Sequence, residues 1–550
     1  MNRLPVQLAL AMLAGALQAL ALGSPLSDGL PLWWLQLGSL AILAALLDRQ
    51  VDLAAGSLAF RPACDFSGAN GPLISPGNPA ARPWRACAVG LVFASTWLAG
   101  TFWWLFISMH TYGGLAAPLA GLAVLALAGT LALYYAVGAA VYFMIFVAIP
   151  SAKRSFRALV FASLWTLAEL ARGQFFTGFP WGAGGYAHVE GLLSGYAPWV
   201  GVYGVGAVAA WVASTAPRLL DCGPWPRLSL LLVLTWPTVA AVPGTPTGTH
   251  SAGRMTVELL QGNIAQNEKF QARTGIADAL NWYGSALKAA SAELVVAPET
   301  ALPMLPRQLP DALWDTLRAR FEGAEKRQAA LIGIPLGDYE RGYTNSVVAL
   351  LPAVPFTEAG GWRYHKHHLV PFGEFIPPGF RWFVRMMSIP LGDFSRGAVA
   401  QPSLEFGGQR LAANICYEDL FGEELGARFA DPATAPTAFV NLSNIAWFGD
   451  TVAIDQHLAI SRMRAMEFAR PMLRATNTGA TAIIDHRGQV VAQLPRLTRG
   501  VLRGEFEGWT ERTVYARWVS AWGLAPLWAL GLAVLLFSLW RARAGRAARR

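Results

Sequence analysis

The sequence predicts an α/β sandwich domain carried between the apolar helices of a multi-span membrane domain, and three observations predict it. Of 550 residues, 54% are apolar and only 14% charged, a composition unlike that of a soluble enzyme. Nearly all the long apolar runs lie before Pro243 or after Arg517. From Arg254 to Glu507 the composition is ordinary for a globular domain, and short β-rich runs alternate with helical stretches.

A helix needs about 20 apolar residues to cross the hydrocarbon core. Stretches near 5–22, 30–47, 86–108, 115–149, 156–171, 193–216, 228–243 and 518–540 are read as eight crossings. The segment from Leu115 to Pro150 is long for one span and short for two, so a single tilted or protruding helix is expected. The expected division is a seven-helix membrane domain over 1–243, a linker over 244–253, a catalytic domain over 254–510, a last span over 518–540 and a basic tail over 541–550.

Orientation follows from the loops. Arg49, Arg61, Arg82 and Arg85 share one loop, Lys153, Arg154 and Arg157 a second, and Arg218 and Arg227 mark a third. The intervening loops at 24–29 and 110–114 carry no Lys or Arg, and 172–191 carries only Arg172. Basic loops stay in the cytoplasm, so both termini are expected inside and the α/β domain outside. Arg3 and the short apolar run after it also fit a cleaved signal sequence, which would leave the other spans unchanged.

The net charge of +9 does not imply nucleic acid, because Arg541, Arg543, Arg546, Arg549 and Arg550 supply five charges directly after an apolar segment. A juxtamembrane anchor on anionic lipid is the expected role. Four cysteines give no disulfide framework: Cys64 and Cys222 fall in cytoplasmic loops, Cys87 at a span entrance, and Cys416 alone outside.

Within the α/β domain, strands are expected at 256–261, 293–297, 329–334, 346–351, 411–415, 438–441 and 480–485. Three of the β-rich runs end in unusual chemistry: Val295-Val296-Ala297-Pro298-Glu299-Thr300, Tyr364-His365-Lys366-His367-His368 running on to Pro371-Phe372-Gly373-Glu374, and Asn414-Ile415-Cys416-Tyr417-Glu418-Asp419. On these residues the sequence resembles the nitrilase superfamily, whose Glu, Lys and Cys stand in this chain order; Glu299, Lys366 and Cys416 match them. HLVPFGE, NICYED and the stretch from Asn441 to Asp450 resemble the apolipoprotein N-acyltransferase family, as do Gln261-Gly262-Asn263-Ile264, Arg470-Pro471, 474–479 and Gly178-Phe179-Pro180-Trp181. Phe270 stands where that family's pattern suggests Trp, and Ile445 interrupts an Asn-Asp pair. The resemblance implies a nitrilase-like αββα sandwich inserted in a polytopic all-α domain of the bacterial inner membrane, with its catalytic domain on the periplasmic side.

The chemistry is also argued from the residues themselves. A free thiol is barely ionised near neutral pH and needs a base or cation. Glu299 is the candidate base, helped by burial beside Val295, Val296 and Pro298, and the Lys366 ammonium with the Tyr417 backbone N–H is the candidate oxyanion cradle. The resemblance implies that Glu374 folds back to orient Lys366, and Glu418 is expected to support the site from behind. Phe270, Tyr343, Asn345, Trp447 and Phe448 are candidate linings of an acyl or head-group pocket. The loop from Gln174 to Tyr186 is a candidate portal or lid, Trp33, Trp34, Trp103 and Trp104 are expected in an interfacial belt, and Glu169 is expected to pair with Arg172.

No cofactor is expected. His365, His367 and His368 alternate in facing and lack further ligands at metal spacing, so no metal site is expected either. The resemblance implies a glycerophospholipid as acyl donor and a diacylated apolipoprotein as acceptor, through a ping-pong thioester. A membrane domain suits such chains, which cost about 0.8 kcal/mol per methylene to expose. Membrane lipids are the surrounding partners, and a monomer is expected. The alternatives are a membrane-tethered amidase for small soluble substrates, active as the isolated 254–507 segment, and a non-catalytic scaffold or transporter, which would tolerate Cys416→Ala.

Overall fold

The computed structural model describes residues 3–24, 27–54, 82–216, 224–240, 250–323, 327–338, 340, 342–357, 360–386 and 394–547. Cys64, Cys222, Arg61, Arg218, Arg549, Arg550 and most of the expected linker lie outside them.

The N-terminal half is helical: α1 (Leu4–Ala21), α2 (Trp33–Ala54), α3 (Pro83–Phe102), α4 (Ala117–Ala148), α5 (Arg154–Gln174), α6 (Ala197–Thr215) and α7 (Pro224–Ala240). α4 is one continuous helix of 32 residues, about 48 Å at 1.5 Å per residue, so the long apolar segment is a single protruding element. α5 is buried on nearly every face from Arg157 to Gly173, which explains how it carries charge: Arg157 meets Asp48 at 3.4 Å and Asp52 at 3.2 Å on α2, and Arg172 meets Glu169 at 3.5 Å.

Five helices among the described residues are long and apolar enough to cross a membrane: Leu4–Ala21, Pro83–Phe102, Ala117–Ala148, Ser194–Thr215 and Ala525–Ala547. α2 and α5 miss that standard through the charges just named, and α7 through its length of 17 residues.

Two of the expected spans end elsewhere. α3 stops at Phe102, and a short turn (Leu105–Ile107) with a π-turn (Ser108–Tyr112) follows, because Trp104 folds inward. The last span is divided at Gly523, whose φ is +55°, into α11 (Val514–Trp522) and α12 (Ala525–Ala547). Belt placement also fails for Trp104. Trp34 and Trp103 are exposed, but Trp104 is buried against Trp181 and Phe448.

The α/β domain holds two six-stranded sheets. One runs β12-β1-β2-β3-β4-β5, from β1 (Ser251–Gln261), β2 (Leu294–Ala297), β3 (Ala329–Asp338), β4 (Gly342–Leu350), β5 (Arg363–His365) and β12 (Gly500–Trp509). The other runs β11-β10-β9-β8-β7-β6, from β6 (Leu404–Phe406), β7 (Gln409–Ile415), β8 (Ala438–Ser443), β9 (Met472–Thr476), β10 (Ala482–Ile484) and β11 (Val490–Gln493). β1, β2 and β3 are parallel, as are β7, β8 and β9.

Strand alternation sorts the layers. Leu294, Val296, Leu331, Ala413, Ile415, Val440 and Leu473 point between the sheets. Val295, Ala297, Ala330 and Ile332 face outward onto α8 (Ala277–Ala289) and α9 (Asp311–Phe321). Ala412 and Phe439, on the outer face of the second sheet, join α10 (Ala453–Phe468) in an apolar core continuous with the membrane helices. One helical layer of the sandwich is thus shared with the membrane half.

Candidate active site

Glu299 stands two residues past the end of β2, and Lys366 and Cys416 follow directly on β5 and β7; β2 and β5 run in the same direction, and the three residues meet at one edge of the sandwich. Glu299 is buried. Its Oε1 accepts from Lys366 Nζ at 3.3 Å and from Asn345 Nδ2 at 2.6 Å, and its Oε2 accepts from the Asn444 N–H, just beyond β8, at 2.8 Å. Lys366 is 1% exposed and donates also to Glu374 Oε1 at 2.9 Å. The chain returns Glu374 to Lys366 through a tight turn in which Phe372 has φ +64° and the Val370 N–H donates to Glu374 Oε2 at 2.9 Å.

Cys416 is partly exposed and has φ +55°, a left-handed conformation that L-residues rarely adopt and that functional sites hold under restraint. Its carbonyl accepts from Asn441 Nδ2 at 2.8 Å. A short 3-10 turn (Cys416–Leu420) begins there, and Glu418 pins it: Oε2 takes the Ile415 N–H at 2.7 Å, while Oε1 takes the His367 N–H at 2.7 Å and the His368 N–H at 3.1 Å. The Tyr364 hydroxyl donates to the same carboxylate at 2.9 Å. One buried side chain therefore ties the cysteine turn to the lysine segment. The Tyr417 hydroxyl donates to the Leu369 carbonyl at 3.2 Å, closing the same corner.

Charge balance within this cluster is specific. Burial pulls the Lys366 ammonium toward neutrality, but Glu299 and Glu374 outweigh it and hold its pKa well above the lysine range. Burial and the nearby Glu299 carboxylate push the Cys416 thiol up to about 12, against the opposing pull of Lys366. At rest the thiol is neutral, so a nucleophilic role for it would require a base.

Sequence reasoning missed Lys269. It is 1% exposed, donates to the Glu299 carbonyl at 3.1 Å, and is lowered by burial to about 8. Its flanking sequence carries no strand signal. Asn441 and Asn444 were read within a motif, without the backbone contacts they make here.

The five expected pocket residues separate. Asn345 lies among the carboxylates rather than along a wall, and Tyr343 packs on Phe394 with ring centroids 4.6 Å apart. Phe270 is exposed beside Lys269. Trp447 and Phe448 lie against the membrane half, 6.0 Å from Tyr112 and 4.3 Å from Trp104. Only the tip of the expected portal loop is open: Phe176 is 94% exposed, whereas Trp181 to Tyr186 are buried. Arg172 Nη1 holds that loop through the Phe179 and Trp181 carbonyls at 2.7 and 2.8 Å. The histidines have local partners: His367 Nδ1 meets the Gly397 carbonyl at 2.7 Å, and His368 Nδ1 meets Glu424 at 2.8 Å.

Comparison with known proteins covers both halves. Residues 72–215 match the apolipoprotein N-acyltransferase N-terminal domain, and residues 256–508 match the carbon-nitrogen hydrolase family. An apolipoprotein N-acyltransferase of Verminephrobacter eiseniae (strain EF01-2) is 54% identical over 538 residues, spanning 94% of this chain and 93% of its own. Those of Ralstonia nicotianae (strain ATCC BAA-1114 / GMI1000) and Bordetella bronchiseptica (strain ATCC BAA-588 / NCTC 13252 / RB50) are 43% and 41% identical, over 94% and 80% of this chain and 91% and 85% of theirs. With a nitrilase-like sandwich fused to apolar helices and likeness of this extent along nearly its whole length, the chain belongs to the apolipoprotein N-acyltransferase family.

Proposed function

We propose that this acyltransferase takes a fatty acyl group from a glycerophospholipid onto Cys416 as a thioester and passes it to the N-terminal α-amine of a diacylglyceryl-cysteine lipoprotein. Acyl transfer to lipoprotein N-termini is the activity that its family membership gives it. The observation that carries the assignment of residues is the buried Lys366 ammonium, shared between Glu299 at 3.3 Å and Glu374 at 2.9 Å.

In the first half-reaction Glu299 takes the Cys416 proton as the sulfur attacks the ester carbonyl. The C=O electrons move to oxygen, where the Lys366 ammonium and the Tyr417 backbone N–H hold the charge. Such donors are worth about 3–4 kcal/mol each. The C–O bond breaks, and the lysophospholipid alkoxide leaves with the proton from Glu299. In the second half-reaction the lipoprotein amine attacks the thioester carbonyl. The C–S bond breaks, Glu299 carries the amine proton to Cys416, and an amide remains. Glu374 and Asn345 keep Lys366 and Glu299 in register throughout. The thiol pushed up to about 12 supports this order, since it ionises only as Glu299 accepts its proton.

The same reading sets α1 to α7 and α12 as eight crossings of the bacterial inner membrane, with both termini cytoplasmic and the sandwich over 254–510 periplasmic. Lys153 just before α5, Arg154 and Arg157 in its first turn, and Arg541, Arg543 and Arg546 on α12 support that orientation.

Intact-protein mass spectrometry after incubation with phospholipid vesicles tests the reading. A hydroxylamine-labile acyl mass on Cys416, absent from Cys416→Ala, is expected. A protein that turns over lipoprotein while carrying its acyl mass elsewhere, or none, overturns it.

A further inference from the structure

The turn that begins at Cys416 is anchored on two sides by groups already described: Asn441 on its carbonyl, and Glu418 on the lysine segment. Its third anchor points the other way. Asp419 is fully buried, and its Oδ1 meets His457 Nε2 of α10 at 3.0 Å while its Oδ2 accepts from Ser461 Oγ at 2.5 Å. Arg474 Nη2 donates to His457 Nδ1 at 2.8 Å, so the imidazole proton sits on Nε2 and faces Asp419.

The other face of the His457 ring is covered by the membrane half. The Trp181 ring lies 5.4 Å from it, centroid to centroid. The Trp181 indole N–H donates to Gln456 Oε1 at 2.8 Å, and the Trp104 indole N–H donates to the same oxygen at 3.1 Å. The Trp181 carbonyl is gripped in turn by Arg172 of α5. Buried contacts therefore run from Arg172 of α5 through Trp181 and His457 to Asp419 of the turn that begins at the strained Cys416, and a left-handed residue keeps its conformation only where its surroundings over-determine it.

We propose that Trp181 of the membrane half is a positioning residue for Cys416, acting through His457 and Asp419. It touches no reacting atom; its ring holds the imidazole against Asp419, and Asp419 holds the turn. The proposal rests on the reading of Cys416 as nucleophile.

The test is the rate at which iodoacetamide alkylates Cys416 in the full chain in lipid nanodiscs, followed on the Cys416 peptide by mass spectrometry. This small electrophile bypasses lipid entry. Trp181→Ala and His457→Leu are each expected to slow alkylation by about ten- to a hundredfold, the scale of a remote misplacement of a reacting group. His457→Gln, which keeps a donor toward Asp419, is expected near the wild-type rate. Trp181→Ala added to His457→Leu is expected to cost nothing further, as for two parts of one linkage.

Wild-type alkylation in Trp181→Ala overturns the proposal. So does equal slowing by His457→Leu and His457→Gln, or losses that multiply in the double variant, since general damage to the fold does both. Absence of a lipid-derived acyl mass on wild-type Cys416 would instead sink the nucleophile reading, which this comparison keeps separate.

Discussion

Asn345 donates one amide nitrogen to two carboxylates, Glu299 Oε1 at 2.6 Å and Glu374 Oε1 at 2.8 Å, and Lys366 Nζ meets the same two oxygens. A neutral donor thus helps a single ammonium hold two like charges together in a buried place. Asn345→Asp removes the donor and adds a third negative charge. Thioester formation in a quenched single turnover is expected to fall by at least about 10², and the loss of a buried partner to cost about 1–3 kcal/mol in thermal unfolding. A wild-type acylation rate would mean that the bridge is idle.

Glu299→Gln separates two effects of one carboxylate. Acylation by phospholipid should drop by about 10² to 10⁴ with the loss of the base. The thiol itself should become more acidic, because the negative charge that helps push Cys416 up to about 12 is gone. The pH profile of iodoacetamide alkylation is therefore expected to move to lower pH while lipid turnover fails. Movement in the opposite direction would contradict the placement of Glu299 beside the sulfur.

Lys269 supplies a pH dependence with a definite sign. Its folded pKa, lowered to about 8 by burial, lies below the unfolded lysine value of about 10.4. The folded state therefore carries a penalty for the buried charge below about pH 8, relieved as pH rises from there toward the unfolded value. Unfolding midpoints of the wild type relative to Lys269→Met should climb across that window. A flat difference between pH 7 and 10 would show that the ammonium is not buried at a cost.

Gly201 interrupts α6 with φ +66°, and a Cβ there would lie 2.3 Å from Tyr515 Cε2 on α11. Gly201→Ala combines left-handed strain with overpacking, at about 1–3 kcal/mol. Its expected signature is a lower unfolding midpoint together with faster proteolysis around Val514–Trp522. Unchanged cleavage there would mean that α11 is held by other contacts, such as the Trp518 indole on the Trp199 carbonyl at 2.9 Å.

The parts of this molecule that can be read along the chain are those in which signal and residue are adjacent. Glu299, Lys366 and Cys416 each stand at the end of a β-rich run, and the resemblance of those runs to the nitrilase superfamily singles them out. The pairing of Asp419 with His457 joins residues 38 positions apart, and no local pattern announces it. β9 escaped notice because the buried Arg474 breaks its apolar run, and β12 because Arg503, Glu505 and Glu507 alternate through it. Trp104 was assigned to an interfacial belt because tryptophan beside an apolar segment usually lies there. Its burial depends on Phe448 and Gln456, whose approach only the fold discloses.

α10 gives its inner side to the second sheet and its outer side to the membrane half, where Arg464 reaches the Tyr186 hydroxyl at 3.2 Å and Glu467 accepts the Val202 N–H at 2.6 Å. The sandwich cut out at 251–509 would therefore surface with a raw flank: buried carboxylate and guanidinium groups stripped of their partners beside a newly wetted apolar strip. Excision leaves half of a joint, and the soluble fragment is expected to clump or to melt along that helix. A water-soluble form of this enzyme would need a rebuilt outer surface on α10 before any question about its substrates could be asked of it.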